Sequence, residues 1–230
     1  MVDPYVYQGT NILKNKLNIR NQERLDQYES AVFQLSFLRL IKSGYKITRV
    51  LDILDLHKEL FAEVYDWAGT IRTINIVKRE EVLNGLSVTY GDCKTLKKDL
   101  ERINDRLLKI ERNSNFVSDI TRLIADIWQS HPFREGNTRT GVVFLYFLLK
   151  RYEIDLNVDF LERHSKYFRN ALVLASIGEY SEFNHLEKIM SEALCDVLDK
   201  KRKKNKSIEK YDTIKGIDLK KYKSNYHSKI

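Results

Sequence analysis

"SHPFREGNTRTGVVFLYFLLK", Ser130 to Lys150, runs a crowded polar loop straight into a helix that is apolar on every side. A helix hydrophobic all round belongs in the interior. Its apolar run, Val142 to Leu149, has eight residues, far below the roughly 20 that a bilayer span needs. The fold is therefore organised around a buried helix over about residues 138–150. Upstream, Val117, Ile120, Leu123, Ile124, Ile127 and Trp128 share one helical face. That helix must end near His131, because Pro132 pushes the residue before it out of the α region. Asn137 is a favoured N-cap for the buried helix, with flexible Gly136 just before it.

Working outward, Leu25, Tyr28, Val32, Leu35, Leu38 and Ile41 keep helical spacing, bounded by Asn21 as N-cap and Gly44 as stop. Thr48 to Trp67 repeats the pattern and closes at Gly69. At Ile71 to Lys78, "IRTINIVK", the period changes: Ile74 and Ile76 alternate with Thr73 and Asn75, which reads as a strand. Asn84-Gly85 between apolar pairs is a hairpin-turn signal. Helices resume over about 93–110, 117–128, 158–176 and 180–200. The expected class is all-α, a helical bundle with one small β-hairpin flap.

Two prolines and nine glycines in 230 residues are too few for a loop-rich β fold. With only Cys93 and Cys195 there is neither a disulfide framework nor a Cys-rich metal site, and two reduced thiols in a cytoplasmic protein are expected. The start, "MVDPYVYQGT", lacks the features of a signal peptide, and no membrane segment is expected. The net charge of +8 is concentrated in residues 199–230, where twelve Lys and Arg stand against four Asp and Glu. The expected organisation is a catalytic domain over 1–198 and a basic tail over 199–230, partly disordered or partner-binding. Nucleic acid is an unfavoured partner that the tail leaves open.

The polar loop lies at a helix N-terminus, where unbonded N–H groups and the helix dipole make a ready anion site. Arg139, one turn in, adds a guanidinium suited to phosphate oxygens. A carboxylate beside phosphate, here Glu135, points to a shared Mg²⁺. His131, with a side-chain pKa near neutrality, suits the base for a hydroxyl attacking phosphorus. Each residue alone has an ordinary explanation, since lone histidines pack and Glu-Arg pairs are solvated. Pro132 and Gly136 preclude the helical geometry of a zinc pair at His131 and Glu135, and no G-x-x-x-x-G-K-[ST] loop is present. The order of eight constrained positions sets the stretch apart.

In that order "HPFREGNTR", 131–139, resembles the Fic-domain signature H-[PX]-F-x-[DE]-G-N-G-R-x-x-R. "DPYVYQGTNILKNKLNIR" is similar to the start of bacterial Fic proteins, and "LHKELFAEVYDWAGTIRTINIVK" to the family's helix and flap; the resemblance covers about residues 3–195. It implies transfer of AMP from ATP, with Mg²⁺, to a hydroxyl side chain of a target protein. It further implies that His131 deprotonates that hydroxyl and that Glu135 holds Mg²⁺. Gly136, Asn137, Thr138 and Arg139 would surround the phosphates and Lys78 would join the nucleotide-binding set. Phe133 would anchor the loop, and Ile74 to Lys78 would align the target segment by strand addition.

Two positions depart from the signature: Thr138 replaces its second glycine and Val142 its second arginine. The donor is thereby left open among ATP, UTP, GTP and a nucleotide-linked small group. A rival reading is a catalytically reduced scaffold whose basic tail binds nucleic acid or an acidic protein; an intact His131, Glu135, Asn137 and Arg139 favours the enzyme. A phosphorylating enzyme ranks last, because Doc-like relatives carry Ala-Asn-Lys where this chain has Gly-Asn-Thr. The family's inhibitory [ST]-x-x-x-E-[GN] segment is absent from the sequence. Restraint is therefore expected from a separate small inhibitory protein, an antitoxin, or from the host context, in a toxin-type or effector-type role.

Overall fold

In the computed structural model, which describes residues 3–196, α1 (Gln22–Ser43) begins with the Asn21 side chain accepting the Arg24 N–H at 2.9 Å. It ends at Gly44, whose N–H returns to the Ile41 carbonyl. The second helix, α2 (Asp52–Phe61), is shorter than the expected Thr48–Trp67. The Asp52 carboxylate collects the Thr48 N–H, the Thr48 hydroxyl and the Arg49 N–H at 2.8–3.0 Å, which holds the preceding residues in a turn. Past Phe61 the chain continues in turns that bury Val64 and Tyr65.

Helices α3 (Leu96–Leu107) and α4 (Phe116–Ser130) pack against each other and deliver the chain to the polar loop. Beyond it, α5 (Asn137–Leu149) is the buried helix the sequence calls for, with Val143, Phe144, Leu145, Phe147, Leu148 and Leu149 all shielded. It packs against α2, α4 and the strand β1 (Ile154–Leu156). The expected helix over 158–176 is two: α6 (Val158–Arg163), capped by Asn157, and α7 (Ser165–Leu174), parted where His164 leaves helical geometry at φ −110°, ψ 28°. After α8 (Asn184–Ala193) the chain turns into β2 (Leu194–Asp196), antiparallel to β1 with Leu156 opposite Leu194 and Ile154 opposite Asp196. The end of the expected last helix and the basic stretch 199–230 lie outside the described residues. No helix among the described residues is long and apolar enough to cross a membrane.

The flap differs from the expected strand pair. Residues 71–80 form no strand and bend at Thr73 and Ile74, yet exposure still alternates, with Thr73, Asn75 and Val77 outward and Ile74, Ile76 and Lys78 half-buried. They lack a ladder partner, however: the Lys78 N–H goes to the Ser87 hydroxyl rather than to a facing carbonyl, and a short 3₁₀ turn, Glu81–Leu83, occupies what would be the hairpin arm. The predicted turn does form, because Asn84 and Gly85 both adopt positive φ, 50° and 87°, as that turn requires.

The loop, flap and amino-terminal segment meet at one end of α5. The Arg72 N–H bonds the Pro132 carbonyl at 2.8 Å, Asp3 pairs with Arg134 at 2.8 Å, and the Tyr5 hydroxyl accepts the Thr73 N–H at 3.0 Å. Since this end is aimed by the buried body of α5, truncating it should be costly. Phe144→Ala, at a fully buried position, is expected to lower stability by about 3–5 kcal/mol, read from chemical denaturation.

Candidate active site

His131 follows the last turn of α4 in a left-handed conformation, φ 48° and ψ 59°, uncommon for any residue but glycine. Arg72 holds it there. This guanidinium is 1% exposed and donates to the carbonyls of His131 at 2.8 Å, Ile74 at 2.6 Å, Ser130 at 3.4 Å and Gly91. The imidazole is equally buried, between the Tyr90 ring at 4.2 Å and Trp128 at 5.2 Å. Its Nδ1 lies 3.0 Å from the Trp128 carbonyl. A carbonyl only accepts, so Nδ1 carries the proton and Nε2 presents a lone pair; Nε2 is buried with no protein partner. Burial, and after it the Lys78 charge, hold the imidazole pKa well below the ordinary histidine value, so the ring is a neutral base.

A second histidine shapes the loop. His57 of α2 stacks on the fully buried Phe133 ring at 3.7 Å, accepts the Gly69 N–H at Nδ1 (2.8 Å) and donates from Nε2 to the Glu135 carbonyl (3.1 Å). Burial pulls its pKa down to about 3, against the pull of its bond to the Glu135 carbonyl. Asn137 closes the turn from within: its amide oxygen takes the Phe133 N–H at 3.0 Å and its amide nitrogen donates to the Phe133 carbonyl at 2.8 Å. Asn137 is thus the first helical residue, and Gly136, at φ 79°, is the cap. A Cβ on Gly136 would meet the Phe61 ring at 2.8 Å, so only glycine fits.

The charged groups ring the opening of α5. Glu135 accepts the Gly136 N–H at 3.0 Å and pairs with Lys78 at 3.1 Å. Desolvation pushes its pKa upward, but Lys78, that N–H and Arg139 outweigh it, leaving the carboxyl at about 2 and ionised. Arg139 pairs with the buried Glu29 of α1, whose other oxygen takes the Tyr65 hydroxyl, and lies 5.0 Å above the Phe61 ring. A carboxylate therefore does reach a motif arginine, although the sequence holds no inhibitory-segment pattern. The Thr138 hydroxyl accepts the Trp128 indole N–H at 2.9 Å, and Val142 is half-buried against the core. The structure brings His131, Glu135, Gly136, Asn137, Thr138, Arg139 and Lys78 to one place. Among the described residues no cluster of three or more His, Cys, Asp or Glu could hold a metal by itself, so Glu135 is the one carboxylate the loop offers.

Sequence reasoning missed His57, Arg72, Glu29 and Tyr90. Two of them carried a signal. Arg72 shares the inward phase of Ile74 and Ile76, and His57 lies one helical turn from both Ile53 and Phe61 on the buried face of α2.

The neutral burial of His57 has a pH consequence. Unfolded, its pKa returns to about 6.5; between that value and about 3 the unfolded chain binds a proton that the folded chain refuses. His57 therefore contributes stability above about pH 6.5 that is lost as the pH falls. Thermal melts from about pH 7 to about pH 5.5, above the carboxylate range, should show a falling midpoint, with a shallower slope in His57→Gln.

Comparison with known proteins agrees with this geometry. A family model described as the Fic/DOC family matches residues 47–149. The chain is 32% identical over 180 residues to the probable protein adenylyltransferase y4lH of Sinorhizobium fredii, covering 77% of this chain and 90% of that one. It is 27% identical over 194 residues to the probable protein adenylyltransferase Fic of Escherichia coli, covering 83% and 94%. Among solved structures, the BepC protein of Bartonella tribocorum with bound AMPPNP superposes with a TM-score of 0.69 at 17% identity, covering 84% of this chain and 96% of that chain. The amino-terminal Fic domain of a Bartonella quintana effector with bound ADP gives 0.70 at 17%, covering 84% and 94%. The chain belongs to the Fic/DOC family.

Proposed function

We propose that the chain is a protein adenylyltransferase, moving AMP from ATP to a hydroxyl side chain of a target protein. The observation that carries this reading is the state of His131: neutral, its proton fixed on Nδ1, its Nε2 lone pair unbonded within the ring of phosphate-compatible groups. The names of the relatives, protein adenylyltransferases, support it, as do the nucleotides held by structural neighbours.

In the reaction the target hydroxyl oxygen bonds to the α-phosphorus of ATP as the bond from that phosphorus to the bridging oxygen breaks. Nε2 of His131 takes the hydroxyl proton, and pyrophosphate leaves. The opening N–H groups of α5 and the Arg139 guanidinium bind phosphate oxygens, with Arg139 kept in place by Glu29 and Tyr65. Thr138, its oxygen already accepting from Trp128, keeps a hydroxyl hydrogen free to donate.

The donor set fits Mg²⁺: an ionised carboxylate, Glu135, beside a phosphate site is the arrangement this hard cation takes, completed by phosphate oxygens and water. The ion would neutralise phosphate charge, with Lys78 giving up its hold on Glu135. From Ile74, whose carbonyl is held by Arg72, to Lys78, whose N–H is held by Ser87, the flap's remaining backbone groups would align the target segment. With Val142 where the signature has an arginine, the terminal phosphate has no second motif cation, and control of the enzyme falls to a separate inhibitory protein or to the host context.

Incubation with α-labelled ATP and a cell lysate should place label on protein, and γ-label should not transfer. His131→Ala should keep its fold and nucleotide affinity while losing at least about 10²-fold in transfer; unaltered transfer in the folded variant would refute the base assignment. Val142→Arg should tighten ATP binding and Glu135→Ala should remove its Mg²⁺ dependence. Calorimetry decides both, with melts confirming that the half-buried position accepts the charge.

A further inference from the structure

Glu80 stands at the foot of the flap with its side chain 4% exposed. Nη2 of Arg169, on α7, donates to its two carboxylate oxygens at 2.9 and 3.2 Å, and the Tyr90 hydroxyl donates to Oε1 at 2.9 Å. The main chain of Glu80 closes the flap as well, its N–H on the Leu86 carbonyl and its carbonyl on the Gly85 N–H, both at 3.0 Å. One residue along, Glu81 meets Lys166 of the same helix at 3.0 Å. At the far end of this chain of contacts the Tyr90 ring lies 4.2 Å from the His131 imidazole, tilted by 38°.

A buried ion pair is a weak source of stability, since apolar groups of the same volume do as well. What the arrangement provides is direction. An ionised carboxylate only accepts, so the Tyr90 O–H is aimed at Glu80 and away from His131, and burial followed by the Glu80 charge raises its pKa far above the ordinary tyrosine value. The hydroxyl neither competes for the Nε2 lone pair nor gives up its proton. Only the π-face of Tyr90 meets the imidazole, a surface that favours the imidazolium formed when Nε2 accepts a proton.

We propose that Glu80, Tyr90 and Arg169 form a positioning bracket that fixes the plane of His131 and the foot of the flap as one unit, so that the acceptor segment and its base arrive in register. The proposal rests on the adenylyltransferase reading and gives none of the three a contact with substrate. It also accounts for why α7, remote from the loop in sequence, holds the flap through two adjacent acidic residues.

Tyr90→Phe keeps the ring and removes only the tether; Glu80→Gln keeps the shape and removes the charge; Arg169→Lys keeps the charge, while Arg169→Ala removes it. Two readouts are taken: AMP transfer from α-labelled ATP, and the imidazole ¹⁵N resonances of His131, which need no activity. Tyr90→Phe is expected to lower kcat about tenfold or more, as small displacements of a base do, with the KM for ATP held within about twofold. The His131 resonances should move in Tyr90→Phe and Glu80→Gln alike, and Arg169→Lys should recover part of what Arg169→Ala loses. Unmoved His131 resonances in a folded Tyr90→Phe protein overturn the bracket, and so does a loss confined to KM. Were the wild-type chain to transfer no AMP, the functional reading would fall while the resonances still decided the bracket.

Discussion

The site depends on a cation in the interior whose partners are all main-chain carbonyls and one amide oxygen. Arg72 gathers Ser130 and His131 at the end of α4, Gly91 ahead of α3, and Ile74 and Asn75 in the flap. These segments are far apart in sequence and belong to no common element. A planar guanidinium with five donors in a fixed fork can satisfy so many acceptors at once, whereas a lysine in its place brings three donors on one point. Buried carbonyls without a partner cost about 1–3 kcal/mol each, so the loop and flap are bound to Arg72 as firmly as it is to them. The left-handed geometry of His131 persists because its surroundings over-determine it.

Around that clamp the two buried histidines are set in opposite tautomers. His131 donates at Nδ1 and leaves a lone pair unbonded at Nε2; His57 accepts at Nδ1 and donates at Nε2. Burial keeps both neutral, but only His131 has a nitrogen left over for chemistry. One residue type thus leaves a free lone pair in one place and forms a brace in the other, distinguished by which backbone group faces which nitrogen.

Much of this was legible in the sequence where local rules decide. Pro132 and Gly136 forecast the loop, the run from Val142 to Leu149 forecast a buried α5, and Asn84-Gly85 forecast its turn, each by chain geometry that needs no distant partner. The flap strand was misread because alternation reports an extended backbone and its two faces, and not a neighbour to pair with. The groups that orient the site were largely illegible for the same reason. Glu29 reaches Arg139 across 110 positions and Arg169 reaches Glu80 across 89, and no local pattern encodes such meetings. A polar group on the inward face of its element, as at Arg72 and His57, is the sign such a residue leaves.

The indole of Trp128 donates its N–H to Thr138, in the opening turn of α5, and its ring stands edge-on to His131. The sequence holds one other tryptophan, Trp67, which stacks on Tyr65 and meets Tyr5 edge to face. The molecule consequently has an emitter tied by a hydrogen bond to the opening turn of α5. A change at that turn should alter its emission without a dye, and replacing Trp67 would leave that signal with a single tryptophan source.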